Sequence, residues 1–303
     1  QEPGELVVPA DRLGAIVHES EDETLTLAEV EGACEISGQD SVFRIYSQDP
    51  REFPPVAELE GEADLVVRAG TFRELITKTQ YAAAKESTRY AINGILCEKR
   101  AREVVLVATD GRRLAKAVGR VESSRGGDAE AILPARTLGI FARVLSEPDE
   151  AVELKFEPNQ VLLRTARVTV SSVLVEGRFP KYEEVIPREC EKRFELATSG
   201  FLSAVRRAAL LTGPESKGVR LTFAAEGLAI SSRSPEQGEA RICVPIEYEG
   251  DEFTVGFNPQ FLVDALRVAG VESVTLELQA PNRPGVLRCG PDFLCVIMPV
   301  SLS

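Results

Sequence analysis

The segment ATDGRRL at residues 108–114 is the place where this sequence comes nearest to a reactive site. It follows the apolar run at 104–107, and a carboxylate such as Asp110 at the end of a strand can act as a nucleophile or a metal ligand. The same residues describe a tight turn, because Asp-Gly between two alternating apolar runs is a strong hairpin signal in which Gly supplies a positive φ. No second carboxylate lies close to Asp110 in the sequence. The hairpin is therefore the preferred interpretation, and a metal-dependent hydrolase centred on Asp110 is the alternative.

The other reactive side chains form no catalytic or metal-binding pattern. There is a single histidine, His18, and no GxxxxGK[ST], GxSxG, HExxH or CxxC motif occurs. We therefore expect a protein without catalytic residues, metal or cofactor, with reduced thiols in the cytoplasm. No apolar run approaches the roughly 18 residues needed to span a membrane, so no membrane partner is expected. The six cysteines are Cys34, Cys97, Cys190, Cys243, Cys289 and Cys295.

Two kinds of half-unit alternate along the chain and must position these residues. The first kind is a strand ending in Pro or Asn, then a helix, then short strands; the second opens with a strand and an amphipathic helix and continues through alternating strands. Self-similarity of this kind indicates repeated domains rather than one large enzyme core. The first kind occupies residues 6–56, 131–187 and 253–300, and the second occupies 65–121 and 194–246.

The order of the half-units predicts an α+β protein of three similar domains, of which the first is incomplete. A complete protein of this plan would begin with the second kind of half-unit, so we expect about 65 residues to be missing before the first domain. The domains are then predicted at 1–63, a remnant of the first, 64–189 and 190–303.

The distribution of charge matters more than its sum. A net charge of −13 argues against nucleic acid when taken alone. However, the predicted helices at 72–85, 135–145 and 200–211 each carry two more positive than negative side chains. The apolar stripes of these helices direct the charges away from the core; in the first helix the stripe is Phe72, Leu75, Ile76, Thr79 and Ala83. Such faces could hold a duplex by its phosphates without reading its sequence, although ordinary solvated faces would look the same. The basic residues, including one from the predicted helix at 258–269, are Arg73, Lys78, Lys85, Arg136, Arg143, Arg206, Arg207 and Arg267.

Two apolar features remain unexplained by a simple core. Met298, the only methionine, ends an apolar run, and its soft side chain suits a pocket that accepts varied apolar groups. Leu210 points outward beside Arg206 and Arg207 on its predicted helix, which indicates an interface.

Taken together, these residues resemble the bacterial DNA polymerase III β subunit family, the replicative sliding clamps. The resemblance covers nearly the whole chain in the family's order, and the family's first half-domain has no counterpart in this sequence. The matching phrases are STRYAING at 87–94, VATDGRRL at 107–114, VEGRFPKY at 175–182, KGVRL at 217–221 and VIMPV at 296–300.

The resemblance implies the DNA clamp fold, a head-to-tail dimer closed into a ring, and encircled double-stranded DNA. It also implies a groove for short peptides of the polymerase III α subunit, the clamp loader, other polymerases and repair proteins. A peptide-binding scaffold that does not encircle DNA is the alternative, favoured by the acidic composition. Arg112 stands where the family often has His, so peptide preference is expected to differ.

Three sets of site residues follow from the resemblance. Arg89, Tyr90 and Arg136 match positions near the family's DNA contacts. Phe43 and Ile45 match one side of the dimer seam, and Leu210 and Leu211 match the other. The groove is expected at Ile92, Thr109, Gly111, Arg112, Arg113, Leu114, Pro180, Val185, Val296, Met298, Pro299 and Val300, with Asn258 and Phe261 at its border.

Overall fold

The structure is a computed structural model that describes residues 4–54, 57–86, 91–213 and 218–301. The chain forms two compact units whose boundary lies between Ala57 and Glu58. Each unit is described separately below.

The described residues of the first unit form a small sheet, one α-helix and a short 3-10 helix at Pro50–Glu52. The two-residue turn between its first two strands has positive φ at Glu31 (52°) and Gly32 (76°), which is the backbone that tight antiparallel hairpins favour. Ile36 is buried, whereas Phe43, its cross-strand neighbour, is exposed. The elements are α1 (Ala10–Glu19), β1 (Thr26–Val30), β2 (Ala33–Ser37) and β3 (Val42–Tyr46), with sheet order β1-β2-β3.

The described residues of the second unit form four strand–helix pairs and three sheets. Its first part comprises β4 (Leu65–Arg68), α2 (Ala69–Gln80), β5 (Gly94–Lys99), β6 (Glu103–Thr109), β7 (Arg113–Arg120), β8 (Ser123–Ser124), β9 (Ala129–Pro134), α3 (Ala135–Val144), β10 (Ala151–Phe156), β11 (Gln160–Arg164) and β12 (Thr169–Val173). Its second part comprises β13 (Lys192–Ala197), α4 (Thr198–Ala209), β14 (Val219–Ala224), β15 (Gly227–Ser234), β16 (Gly238–Val244), β17 (Phe253–Phe257), α5 (Pro259–Arg267), β18 (Ser273–Leu278), β19 (Gly285–Arg288) and β20 (Phe293–Ile297).

An eight-stranded antiparallel sheet joins the two parts of the second unit. Its order is β13-β18-β19-β20-β7-β6-β5-β9, so the last strand of the chain pairs with β7. The other sheets are β12-β11-β10-β4-β8 and β16-β15-β14-β17. This mixed architecture agrees with the α+β prediction. The division at 64–189 and 190–303 stays a prediction, and the central sheet runs through both segments.

The helices form because their apolar residues recur at helical spacing. In α2, Phe72, Leu75, Ile76 and Thr79 are buried along one face, which is the face that the sequence predicted. Phe72 meets Phe141 of α3 edge to face, with ring centroids 6.1 Å apart.

Strand β6 supplies two cores because its side chains alternate between faces. Val104, Leu106 and Ala108 belong to the main core beneath α2. Val105 and Val107 belong to a second, smaller core on the opposite face of the sheet. A strand covered on both faces reads as a continuous apolar run, as the sequence does here.

The end of α2 differs from the prediction. The predicted helix at 72–85 ends at Gln80, and the chain turns there, with Ala82 N donating to the Thr79 carbonyl and Ala84 N donating to the Ile92 carbonyl. Lys85 therefore lies beyond the helix and not on its basic face.

Candidate functional site

A mostly apolar cavity of about 230 Å³ opens on the face of the central sheet that carries the second core. The β6–β7 hairpin, β20 and the segment after β12 form its walls. The lining residues are Ile92, Thr109, Gly111, Arg112, Arg113, Leu114, Pro180, Tyr182, Val185, Val296 and Met298. We call this cavity the groove. The structure thus brings together, from four separate sequence segments, most of the residues expected to form a groove.

Several residues of the second core also line the groove. Leu114 and Val296 are paired across β7 and β20, and both are buried. Val185 and Met298 remain 44% and 38% exposed. Because these large apolar side chains remain exposed, covering them with an apolar group of a ligand lowers the free energy of the complex.

Tyr182 lines the groove, and the sequence analysis missed it as a wall residue. Its ring is buried in the second core, and its hydroxyl donates to Glu98 Oε2 over 3.0 Å. Burial, reinforced by Glu98, raises the pKa of this phenol, so the hydroxyl stays a neutral donor. The sequence did contain a signal for this role, because Tyr182 ends the matching phrase at 175–182 and lies between the expected wall residues Pro180 and Val185.

The β6–β7 hairpin confirms the preferred interpretation of the segment at 108–114. Asp110 Oδ1 accepts hydrogen bonds from the backbone N–H groups of Arg112 (2.9 Å) and Arg113 (3.0 Å), and Gly111 has φ of 83°. Thr109 Oγ1 closes the turn by donating to the Arg113 carbonyl over 2.6 Å. The carboxylate of Asp110 is thus engaged in building the turn. Among the described residues, no group of three or more His, Cys, Asp or Glu side chains is placed to hold a metal ion.

Arg113 connects the hairpin to two distant helices. Its Nε donates to Asp110 Oδ2 (3.0 Å), its Nη1 to Asp264 Oδ2 on α5 (2.7 Å) and its Nη2 to the Tyr81 carbonyl after α2 (2.6 Å). The guanidinium also lies 4.6 Å from the ring centroid of Phe261. Asp264 is oriented in turn by Gln260, whose Nε2 donates to Oδ1. Arg113 is therefore a structural link as well as a wall residue.

Four of the expected groove residues do not line the cavity. Pro299 forms an isolated bridge with Phe257, and Val300 N donates to the Gly256 carbonyl over 2.9 Å, so both hold the end of the chain against β17. Phe261 contacts the guanidinium of Arg113 with its ring and does not line the cavity. Asn258 caps α5 by accepting from Gln260 N over 2.9 Å, and it lines a different cavity of about 460 Å³.

The expected DNA-facing residues are distributed unevenly. Lys78 does not point into solvent: its side chain is 14% exposed, pairs with Glu74 at 2.6 Å, and lies 5.3 Å from the ring centroid of Phe293. Phe293 of β20, a strand from the far end of the sequence, lies beside the ammonium group, so the expectation that Lys78 points away from the core was wrong. Arg89 and Tyr90 lie outside the described residues. The exposed members are Arg73, Lys85, Arg136, Arg143, Arg206, Arg207 and Arg267.

The expected seam residues lie in both units. Leu210, at the end of α4, is 74% exposed and lines the 460 Å³ cavity, and Leu211 is half-buried. In the first unit, Phe43 is exposed and Ile45 is half-buried. In the described part of the chain, no helix is long and apolar enough to cross a membrane.

Comparison with known proteins identifies the family. Residues 66–181 match the family model for the DNA polymerase III beta subunit, central domain, and residues 183–301 match that for its C-terminal domain. The beta sliding clamp of Pseudomonas putida is 31% identical over 304 residues, which cover 99% of this chain and 83% of that protein.

Solved structures agree in fold. A sliding clamp of Pseudomonas aeruginosa bound to griselimycin superposes with a TM-score of 0.92 at 31% identity, covering 99% of this chain and 82% of that one. The DNA polymerase sliding clamp of Bacillus subtilis gives a TM-score of 0.94 over 100% of this chain and 81% of that one; at 24% identity it shows the fold alone. The chain therefore has the clamp fold, and it belongs to the DNA polymerase III beta subunit family, the beta sliding clamps.

Proposed function

We propose that this chain is a DNA sliding clamp, which encircles duplex DNA and tethers the replicative polymerase through the groove so that synthesis is processive. The observation that carries the proposal is the groove itself. Residues that the sequence separates by up to about two hundred positions meet around one apolar concavity, as a peptide-binding site requires. The partners are double-stranded DNA, the polymerase III α subunit, the clamp loader, other polymerases and repair proteins, and a second copy of the chain.

The groove suits an extended peptide with a Gln and apolar residues. Its floor is buried and packed, so the site is preformed, and its exposed Met298 and Val185 can adapt to different apolar side chains. The guanidinium of Arg112 offers a polar contact at an otherwise mostly apolar surface.

Sequence-independent contact with DNA is assigned to the exposed arginines of the helices. α2 lies against α3 and α4 against α5, so each pair offers one surface with basic side chains. Their charge is modest, and the rest of the chain is acidic, which favours loose phosphate contact over static binding. A peptide-binding scaffold that does not encircle DNA is the second candidate, because the net charge is −13.

The chain is proposed to act without catalysis of its own, in the cytoplasm, as a dimer. Asp110, the one candidate nucleophile, is engaged in the hairpin turn. For the dimer, support comes from Leu210, an apolar side chain left 74% exposed.

Binding of a labelled peptide to Met298→Ala tests the groove. The side chain is partly exposed, so truncation should spare the fold, and it should weaken binding of a Gln-plus-apolar peptide by about tenfold or more. Leu114→Ala should abolish binding of the same peptide. However, because Leu114 is buried, this variant should also destabilise the protein by about 2–5 kcal/mol. Val173→Ala, an exposed apolar residue on β12, is the matched control. Unchanged affinity in Met298→Ala would refute the site.

Retention on circular DNA separates the clamp from the scaffold. The protein, assembled on nicked circular duplex by a clamp loader and ATP, should co-elute with the circle and be released when the DNA is linearised. Retention after linearisation would mean static binding, and no retention on either form would favour the scaffold.

Sedimentation of Leu210→Asp tests the dimer. The wild type should sediment as a dimer and the variant as a monomer of unchanged fold, since the side chain is exposed in the single chain. A dimer that persists in the variant would remove Leu210 from the interface.

A further inference from the structure

Among the described residues that line the groove, two are charged, and both are arginines of the same hairpin. Arg112 and Arg113 stand beside apolar walls formed by residues such as Leu114, Val296 and Met298. The lining that the structure describes contains no acidic side chain. The charge of the groove therefore depends on whether each of these guanidinium groups already has an anionic partner.

The charge of Arg113 is compensated within the protein. Two carboxylates, Asp110 and Asp264, and the Tyr81 carbonyl accept from its three nitrogens. The side chain is only 14% exposed. A guanidinium whose fork is already filled has little left to offer a ligand.

The charge of Arg112 is not compensated. Its side chain is exposed, and no carboxylate in the described part of the chain pairs with it. Its backbone is fixed on both sides, because Arg112 N donates to Asp110 Oδ1 and its carbonyl accepts from Met298 N over 2.9 Å. The hairpin thus fixes the backbone from which the guanidinium of Arg112 extends, next to Met298.

Acidic side chains stand next to the groove on the segment that contributes Val185, although they do not line it. Glu183 and Glu184 immediately precede Val185, and both are exposed. Glu184 is partly neutralised by Lys181, at 3.6 Å. An anionic group on a ligand is therefore attracted toward the hairpin and repelled from the Val185 side, so the charge has one favoured end of the groove.

We propose that Arg112 selects peptides that carry a carboxylate next to the apolar residue seated against Met298. The inference rests on the proposed peptide-binding function of the groove. A peptide that covers Met298 also excludes water around the guanidinium, which strengthens the ion pair relative to one on an open surface. A carboxylate at the right position should tighten binding about three- to tenfold over its amide, because a pair at a partly covered surface is worth more than an exposed ion pair and less than a fully enclosed charge-assisted hydrogen bond.

The test is a peptide scan against charge variants of Arg112. The probes are fluorescent peptides, acetylated and amidated at their ends, with one Gln and two apolar residues, in which each remaining position is in turn Asp, Asn or Lys. Anisotropy gives the affinity of each for wild type, Arg112→Gln and Arg112→Glu. Arg233→Gln, which removes the same charge at an exposed site that does not line the groove, is the matched control.

The expected result is a single peptide position at which Asp binds wild type three- to tenfold more tightly than Asn. This preference should vanish in Arg112→Gln, turn toward Lys in Arg112→Glu, persist in Arg233→Gln, and shrink as salt rises from about 0.05 to about 0.5 M. Equal affinity of Asp and Asn at every position, or a preference that survives Arg112→Gln, would overturn the inference while leaving the groove in place. If no peptide binds wild type, the groove proposal fails and this inference falls with it.

Discussion

The link between Arg113 and Asp264 should make a large contribution to the stability of the second unit. The two side chains are 14% and 17% exposed and 2.7 Å apart, so they are largely screened from water. Asp264→Ala leaves Nη1 of the guanidinium without its acceptor in this poorly hydrated position. A lost hydrogen bond to a charged group costs about 1.5–3 kcal/mol, and breaking a fully buried pair costs about 3–5 kcal/mol. Because some exposure remains, we expect a loss of about 2–3 kcal/mol.

Urea unfolding followed by circular dichroism measures this loss. The control is Glu239→Ala, which breaks the pair between Arg233 and Glu239, whose side chains are 83% and 70% exposed. That variant should lose less than about 0.5 kcal/mol, as exposed pairs do. A double-mutant cycle of Arg113→Ala with Asp264→Ala should give a coupling energy above about 1.5 kcal/mol. A loss in Asp264→Ala no larger than that in Glu239→Ala would refute the argument that burial gives this pair its strength.

Three further predictions concern glycines and thiols, each checked by one measurement. Gly119→Ala should lower the free energy of unfolding in urea by about 1–3 kcal/mol, because a Cβ there would lie 2.8 Å from Leu75 Cδ1. Gly14→Ala in α1 is the matched variant: its Cβ would meet open space, so it should stabilise the helix by about 0.5–1 kcal/mol. Burial raises the pKa of the Cys97 thiol to about 12 from 9.0. The unfolded chain therefore loses this proton first, and the free energy of unfolding should fall as the pH rises from 9 toward 12, by up to about 1.4 kcal/mol per pH unit. Urea titrations at pH 8 and 10 should show a smaller fall in Cys97→Ala than in the wild type. Iodoacetamide at pH 8 should alkylate the exposed Cys243 of the folded protein before the buried Cys97, as peptide mass mapping would reveal.

The sequence predicted the helix faces well because helical periodicity is a local property. The buried stripe of α2 was apparent from the spacing of Phe72, Leu75 and Ile76 alone. The end of the same helix was not apparent. There the Tyr81 carbonyl is taken by the guanidinium of Arg113, and Ala84 N donates to the Ile92 carbonyl, so residues remote in sequence decide where the helix stops.

The same limit explains the errors at the site. Lys78 was assigned to solvent because a helical wheel contains no information about β20, which places Phe293 beside it. Tyr182 was missed because its role depends on the second core, where it is buried between elements that meet only in the fold. The hairpin at Asp110 and Gly111 was predicted correctly, since turn chemistry depends on neighbouring residues.

Arg112 and Arg113 are adjacent in the sequence but have different roles: Arg113 stabilises the fold, and Arg112 is available to a ligand. Arg113 begins β7, where its guanidinium reaches α5, while Arg112 is still in the turn and stays exposed. The turn is itself fixed by Asp110. The second core beneath the groove contains Val105 and Val107 of β6, the same strand whose other face contributes to the main core. A groove held in this way is already shaped before a peptide arrives, so little of the binding free energy is spent on ordering the protein. Differences in affinity between peptides should then reflect the contacts of the peptides themselves. Arg112, whose charge no carboxylate of the described residues compensates, becomes the contact that distinguishes peptides by their charge.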